Sequence, residues 1–258
     1  MIPMERHQQI IALLKERGVI SIAELSETLL VSQMTIRRDL QKLEEQGAVL
    51  LVTGGVQSTE RISREPSHHD KSTMFSLEKQ AIGKAAAHNI PLNSCIYLDA
   101  GTTTLMLARE LALRNDLLVV TNDFAIANFL IDNSECRMIH TGGTLTRENR
   151  SSVGEAAART LRGLSLDIAF ISASCWGSRG IFTPEEEKIA VKRAASESSR
   201  KRVLLADSSK YNKIATFLAL PLSQFDSIIT DAYLTTLAKK ELRNIEAELV
   251  LAEINHSG

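Results

Sequence analysis

From residue 75 onward the chain repeats one pattern. Short apolar, β-rich runs (CIYLDA, LLVVTN, CRMIHTGG, LDIAFISAS, RVLLADSS, SIITD and AELVLAE) follow one another along the chain. Helical stretches such as EKQAIGKAAAHN, TTLMLARELAL, FAIANFLIDN and EEEKIAVKRAASESS lie between most of them. Strands alternating with helices specify an α/β domain built on a largely parallel sheet. Ligands of such sheets sit at the C-terminal ends of the strands, so the residues after each run are the ones to examine. No internal repeat or low-complexity tract competes with this reading.

The first 57 residues follow different rules. Ile10, Ile11, Leu13 and Leu14 recur at helical spacing, and Gly18 ends that helix as a residue able to enter the left-handed region. A second helix opens at SIAE, where Ser21 and Glu24 have capping-box spacing, and runs through Leu25 towards Leu29. After the turn LLVS, Ser32 is placed to cap a third helix with Ile36, Leu40 and Leu43 inward and Gly47 at its end. AVLLVTGGVQ then supplies two short β runs about Gly54-Gly55. The order is that of an all-α helix-turn-helix with a β wing. QSTERISREPSHHDKS is polar and aperiodic, which predicts a linker. The expected organisation is a DNA-binding domain over 1–57, a linker over 58–74 and an α/β domain over 75–258.

At 100° per residue, Met34, Arg37, Arg38 and Gln41 fall opposite the core positions of the third helix, with Thr35 and Lys42 at the edge. Arg pairs with guanine and Gln with adenine in the major groove, where the N-terminal half of a recognition helix enters. The alternative is a solvated face whose cations pair with neighbours such as Glu45. Charge restricts the first reading: the chain carries a net charge of -1, and residues 1–57 hold six Lys or Arg against seven Asp or Glu. Any polyanion contact must therefore be local, and affinity should depend on two or more copies on one operator. The N-terminus lacks the apolar core of a signal peptide, and no run reaches the ~18 apolar residues of a membrane span. A cytoplasmic protein is expected, with Cys95, Cys136 and Cys175 as buried free thiols.

Several strand ends carry polar residues. DAGTTT places the amides of Thr102, Thr103 and Thr104 at a helix N-terminus, which suits a phosphate as well as an ordinary cap. It lacks the Lys and second Gly of nucleotide-binding loops. Thr121 and Asn122, Gly142 and Gly143, and Asp207 with Lys210 end other runs and converge in expectation on the same crevice. In GIFTPEEEKIAVKRAA, Thr183, Pro184 and Glu186 read as N-cap, N1 and N3 of a capping box, with Lys192 further along. Neighbouring His68 and His69 point opposite ways on an extended linker, so they are expected in solvent. Neither metal site nor cofactor loop is expected.

VSQMTIRRDLQKLEEQG with the following TGG closely resembles the DNA-binding domain of DeoR-family bacterial transcription regulators. DAGTTT, VVTND, HTGGT, SVGEAA, ADSSKY and IITD extend the resemblance over nearly the whole chain. It implies a repressor whose winged helix-turn-helix binds operator DNA through Ser32, Gln33, Thr35, Arg37 and Arg38. The C-terminal domain, similar to ribose-5-phosphate isomerase, would sense a phosphorylated sugar or sugar-like effector. Asp99, Gly101, Thr102, Thr103 and Lys210 are the effector contacts that the resemblance favours, and the family often has a Glu and a Lys at the positions of Glu186 and Lys192. A homo-oligomer, at least a dimer, is implied. SASCWGSRGIF departs from the common pattern, and Arg179 there would suit a carboxylate, which points to a phosphorylated sugar acid. The alternative is a sugar-phosphate isomerase with a DNA-binding appendage, for which Asp99, Glu186 and Asp207 are the candidate bases.

Overall fold

The computed structural model describes residues 2–45, 48–52, 54–58, 60–243 and 245–254. Two compact units divide the chain, Met1–Arg61 and Ile62–Gly258.

In the first unit, helices span Pro3–Arg17, Ile22–Leu29 and Gln33–Glu45. The Ser21 hydroxyl accepts from the Glu24 amide at 3.1 Å, and Ser32 accepts from the Thr35 amide at 3.2 Å, so both serines act as caps. The Glu24 carboxylate does not complete the box but accepts from Arg17 at 2.6 Å. The expected stop at Gly47 lies outside the described residues. Ile10, Leu14, Leu25, Ile36, Leu40, Leu43 and Val56 form the core, each fully buried side chain contributing roughly 1.5–3 kcal/mol. The wing pairs Val49–Val52 with Gly55–Ser58, and a third antiparallel strand, Val19–Ser21, adds to it. That strand was not expected, since three residues between two helices leave no periodicity to read. Gly55 is required beside it: a Cβ there would meet the Ile20 carbonyl at 2.6 Å.

All seven β-rich runs of the second unit are strands of one seven-stranded sheet. Its order is Glu248–Ala252, Ser227–Asp231, Ser199–Leu205, Leu166–Ser172, Cys95–Leu98, Leu118–Thr121, Arg137–His140. Every neighbouring pair is parallel. Side chains alternate faces as strand geometry demands. Ile96, Leu98, Ile168 and Phe170 pack beneath helices Ser76–Ala87, Thr102–Glu110 and Phe124–Asn133. Tyr97, Ala169 and Ile171 face helices Gly154–Arg162, Glu187–Glu197 and Thr236–Leu242. Chain order runs outward in both directions from the central pair Cys95–Leu98 and Leu166–Ser172. A crevice must open between their C-terminal ends, because the following segments leave to opposite sides.

Three expectations are corrected. The linker stretch is structured from Ile62 onward: the Ile62 amide donates to the Ile214 carbonyl at 2.8 Å, and a helix His68–Thr73 is capped by Ser67. Ile62 packs against Cys175, Phe182 and Ala215, and a single apolar residue leaves no hydrophobic periodicity to read. His68, expected in solvent, is 6% exposed. Thr183 does not cap a helix: it ends the strand Gly180–Thr183, its hydroxyl accepts from the Glu185 amide at 3.2 Å, and the helix starts at Glu187. The segment SASCWGSRGIF is a β hairpin, Cys175–Gly177 with Gly180–Thr183, in which Trp176 is fully buried and donates to the Asp207 carbonyl at 3.3 Å. Arg179 lies at its exposed turn, its guanidinium 5.7 Å from the Phe182 ring. Cys136 and Cys175 are buried free thiols and Cys95 is half-buried. Among the described residues no helix is long and apolar enough to cross a membrane, and no cluster of His, Cys, Asp or Glu could hold a metal ion.

Candidate functional site

Two surfaces carry chemistry, one in each unit. On the third helix of the first unit, Ile36, Asp39, Leu40 and Leu43 are buried. Ser32, Gln33, Met34, Arg37, Arg38, Gln41 and Lys42 are exposed, with Thr35 half-buried and its hydroxyl 2.9 Å from that of Ser32. Among the described residues none forms an ion pair with Arg37, Arg38 or Lys42. Sequence reasoning missed why the neighbouring acid does not cancel them. Asp39 turns inward and accepts from Arg6 Nε at 2.5 Å and Arg6 Nη2 at 3.1 Å, with His7 Nε2 3.1 Å away. Burial pushes its carboxyl up, but Arg6 and His7 outweigh that and hold it below the usual range. The signal was available, since Asp39 shares the face of Ile36, Leu40 and Leu43.

In the second unit a crevice opens at the switch point of the sheet. Asp99 follows the strand Cys95–Leu98 and is 2% exposed. Its Oδ2 accepts from the Ser172 amide at 3.0 Å and the Ser172 hydroxyl at 2.9 Å, and pairs with Lys192 Nζ. Lys192 reaches in from the helix Glu187–Glu197, 5% exposed, and also donates to the Ser172 carbonyl at 2.8 Å. Asn122 braces the floor: its Oδ1 accepts from the Ala100 amide at 2.9 Å and its Nδ2 donates to the Ser152 carbonyl at 2.9 Å. Asp123 accepts from the amides of Gly101, Ala125 and Ile126. Burial nevertheless pushes its carboxyl up to about 6.

Gly101 is the N-cap of the helix Thr102–Glu110 and brings no side-chain acceptor, so the first amides of that helix are not capped from within. A Cβ at Gly101 would stand 3.0 Å from that of Ser172, which is why the backbone passes so close to the strand end. Thr104 is committed to structure, donating to the Asp99 carbonyl at 2.6 Å. Thr103 keeps a buried hydroxyl without a hydrogen-bond partner among the described residues. Such a terminus favours an anion.

The opposite wall was not anticipated. Glu65, 9% exposed at its side chain, is gripped by Lys188, by Lys71 at 3.4 Å and by the Ser174 hydroxyl at 2.6 Å. Burial raises its carboxyl, but Lys188 and Lys71 prevail and hold it well below the usual range. Burial lowers Lys71, whereas Glu65 raises Lys188 against its own burial. Asn149 bridges this wall, accepting from Lys71 at 2.9 Å and donating to Glu185 at 3.1 Å. Lys188 and Lys192 stand one helical turn apart, a spacing that could have revealed the first from the second.

Of the residues expected at the effector, the crevice brings together Asp99, Gly101, Asn122 and Lys192. Thr102, Thr103 and Thr104 are buried on the adjoining helix turn. Thr121 donates to the Leu98 carbonyl at 2.7 Å and is structural. Gly142 is exposed, and Gly143, at φ 118° with Ala157 and Val153 against it, serves close packing of a hairpin. Asp207 and Lys210 pair with each other at 3.3 Å and do not line the crevice, although Lys210 lies near enough to help lower Lys71 on its wall, and Glu186 is exposed.

Comparison with known proteins gives a consistent picture. Residues 6–61 match the model of the DeoR-like helix-turn-helix domain, and residues 75–232 that of the DeoR C terminal sensor domain. The chain is 57% identical over 253 residues to the uncharacterized HTH-type transcriptional regulator YgbI of Escherichia coli (strain K12), covering 98% of this chain and 99% of that one. It is 34% identical over 229 residues to the glycerol-3-phosphate regulon repressor of the same organism, covering 88% and 90%. Among solved structures, ribose 5 phosphate isomerase A from Neisseria gonorrhoeae matches 55% of each chain at a TM-score of 0.39 and 16% identity.

Proposed function

The chain belongs to the DeoR family of transcriptional regulators, and on that premise we propose that it is a cytoplasmic repressor of a carbohydrate or sugar-acid operon, released from DNA by a phosphorylated effector. The observation that carries the DNA half of this reading is the third helix, whose two arginines stand exposed while the adjacent acid is buried with Arg6. Arg37 and Arg38, with Gln41 and Met34 beside them, present donors and an apolar contact suited to guanine, adenine and the thymine methyl. Ser32, Gln33, Thr35 and Lys42 stand where backbone phosphates would pass.

For the effector, the uncapped start of the helix Thr102–Glu110 offers amides to a phosphate, and Lys192 stands across from it with a cation. Arg179 no longer supports an acid group, because it stands on an exposed turn. The isomerase alternative finds little support. Asp99 is held by Lys192 and Ser172, Asp207 by Lys210 and Ser209, and Glu186 lies outside the crevice lining. None of them is placed as a free base beside a bound sugar.

The test selects genomic DNA fragments with the full chain and titrates salt. Retention that falls steeply with salt and is lost in Arg37→Ala is expected; a chain that retains no fragment, or an Arg37→Ala variant that retains it undiminished, overturns the reading. Phosphorylated sugars and sugar acids of four to six carbons are then screened for release of the retained fragment. Lys192→Gln is expected to keep retention and lose release.

A further inference from the structure

Two lysines of the crevice hold an anion that the protein supplies itself. Glu65 comes from the segment that begins the second unit directly after the DNA-binding unit ends at Arg61. It meets Ser174 and Lys188, 109 and 123 residues further along the chain, inside the crevice that also holds Asp99 and Lys192. All of its contacts are donors: two ammonium groups and one hydroxyl. We propose that Glu65 is a latch occupying the place of an effector acid group, and that an effector with a second anionic group displaces it and frees the segment leading from the DNA-binding unit. This rests on the reading of the crevice as the effector site.

Electrostatics favours an anion between the two lysines. Lys71 and Lys188 are both largely buried, with side chains 15% and 13% exposed. Two ammonium groups held together away from water are strongly unfavourable without an anion between them. With Glu65 withdrawn, Lys188 keeps Glu185 at 3.3 Å and Lys71 keeps the neutral Asn149 amide, so one of the two ammonium groups lacks an anion that a ligand could supply. With Glu65 in place Lys71, Lys188 and Lys192 are matched by Glu65, Glu185 and Asp99; with Glu65 withdrawn, three lysines face two carboxylates and an incoming acid group restores the balance. The second anion meets Lys71 and Lys188, groups distinct from Lys192 and the amides after Gly101, and so does not compete with a phosphate there. The ligand class is thus a small molecule with two separated anionic groups, such as a phosphorylated sugar acid.

Among the described residues the segment forms no other buried ion pair, although Ile62 packs against Cys175, Phe182 and Ala215, Lys71 donates to Asn149, and the Lys71 carbonyl accepts from buried Lys79. Arg64 pairs with Glu148 at 2.5 Å in solvent, and two backbone bonds of 2.8 Å join Ile62 to Ile214 and His68 to Glu148. Exposed ion pairs contribute little. Without its Glu65 anchor the segment therefore shifts from a docked towards a free state, and a ligand that favours one state changes its population in proportion to its differential affinity.

Hydrogen exchange of the full chain tests the latch without any ligand. In Glu65→Gln, exchange at residues 62–73 is expected to rise at least tenfold while the central strands stay protected; a segment as slow as in the wild type overturns the proposal. Ser174→Ala, which removes one hydrogen bond and leaves every charge paired, is expected to show a smaller rise confined to the same segment, and it decides the matter if Glu65→Gln loses protection throughout. Displacement is tested on the wild type with 3-phosphoglycerate and with glycerol 3-phosphate, which differ only in the carboxylate. Faster exchange at residues 62–73 with the first and not the second supports the two-anion class, and equal effects of the two, including none at saturating concentration, overturn it. DNA retention is measured separately. If no fragment is retained while Glu65→Gln still opens the segment, the repressor reading fails and the latch stands.

Discussion

Arg37, Arg38 and Asp39 are consecutive, yet the helix sends the two cations to solvent and the acid to the core. The consequence for stability is direct. Asp39→Asn leaves Arg6 buried without its carboxylate partner, which costs about 3–5 kcal/mol in comparable cases. Denaturant unfolding of the full chain, followed by a probe in the first unit, should show that loss. The pH dependence has a definite sign. The folded carboxyl is held below its unfolded value near 3.8, so the stabilisation is complete above that pH and is lost as pH falls towards the folded value. Below pH 4 the wild type should therefore lose stability more steeply than Asp39→Asn. An equal acid limb in both proteins would show that the pair does not couple to folding. At this scale the exposed residues, and the inward face of Asp39, were legible from helical geometry, whereas its partner was not, because Arg6 lies 33 residues away on another helix. The same holds for Glu65 and Lys71: a charged residue reads as solvent-facing until its partner is known, and the partners of Glu65 on the far wall lie a hundred residues away.

Elements were legible where hydrophobic pattern and end signals agreed. Ser21 and Ser32 cap helices whose apolar stripes start immediately after them, and each of the seven β-rich runs is a strand. Thr183 failed for a physical reason. Thr183, Pro184 and Glu186 have capping spacing, but the β-prone run GIF draws Thr183 into a strand and the helix starts only at Glu187, with Glu186 as its exposed N-cap. Between elements, the tightest approach relevant to the crevice lies at Gly83. A Cβ there would stand 2.7 Å from the Met106 carbonyl carbon and 2.8 Å from the Leu107 nitrogen, both backbone atoms. Gly83→Ala must push the helix Thr102–Glu110 away from the helix Ser76–Ala87, and overpacking of this kind costs roughly 1–3 kcal/mol. Because the N-terminus of the displaced helix borders the crevice, effector-induced release should weaken along with thermal stability, while DNA retention without effector stays unchanged. A variant with wild-type melting and release would show that the two helices yield locally.

Over the whole molecule the charge balance sets how DNA must be held. A chain of net charge -1, whose first unit has more acids than bases, has no broad field to bind a polyanion. What remains is a narrow cationic strip on one helix, and such a strip releases few counterions. For double-stranded DNA the slope of log K against log salt is about -0.9 per phosphate neutralised, so one copy should give a shallow slope and weak binding. Two copies on a palindromic site double the slope and place their recognition helices one turn of DNA apart. Retention should then rise cooperatively with protein concentration, with an even number of chains on each fragment. Replacing Lys42 by Ala in every copy should make the slope shallower by about one for each phosphate that Lys42 neutralises across the site. Stoichiometry measured by native mass spectrometry decides between the alternatives. A single chain saturating the fragment along a simple hyperbola would mean that this strip suffices alone, and the charge balance would then not dictate pairing.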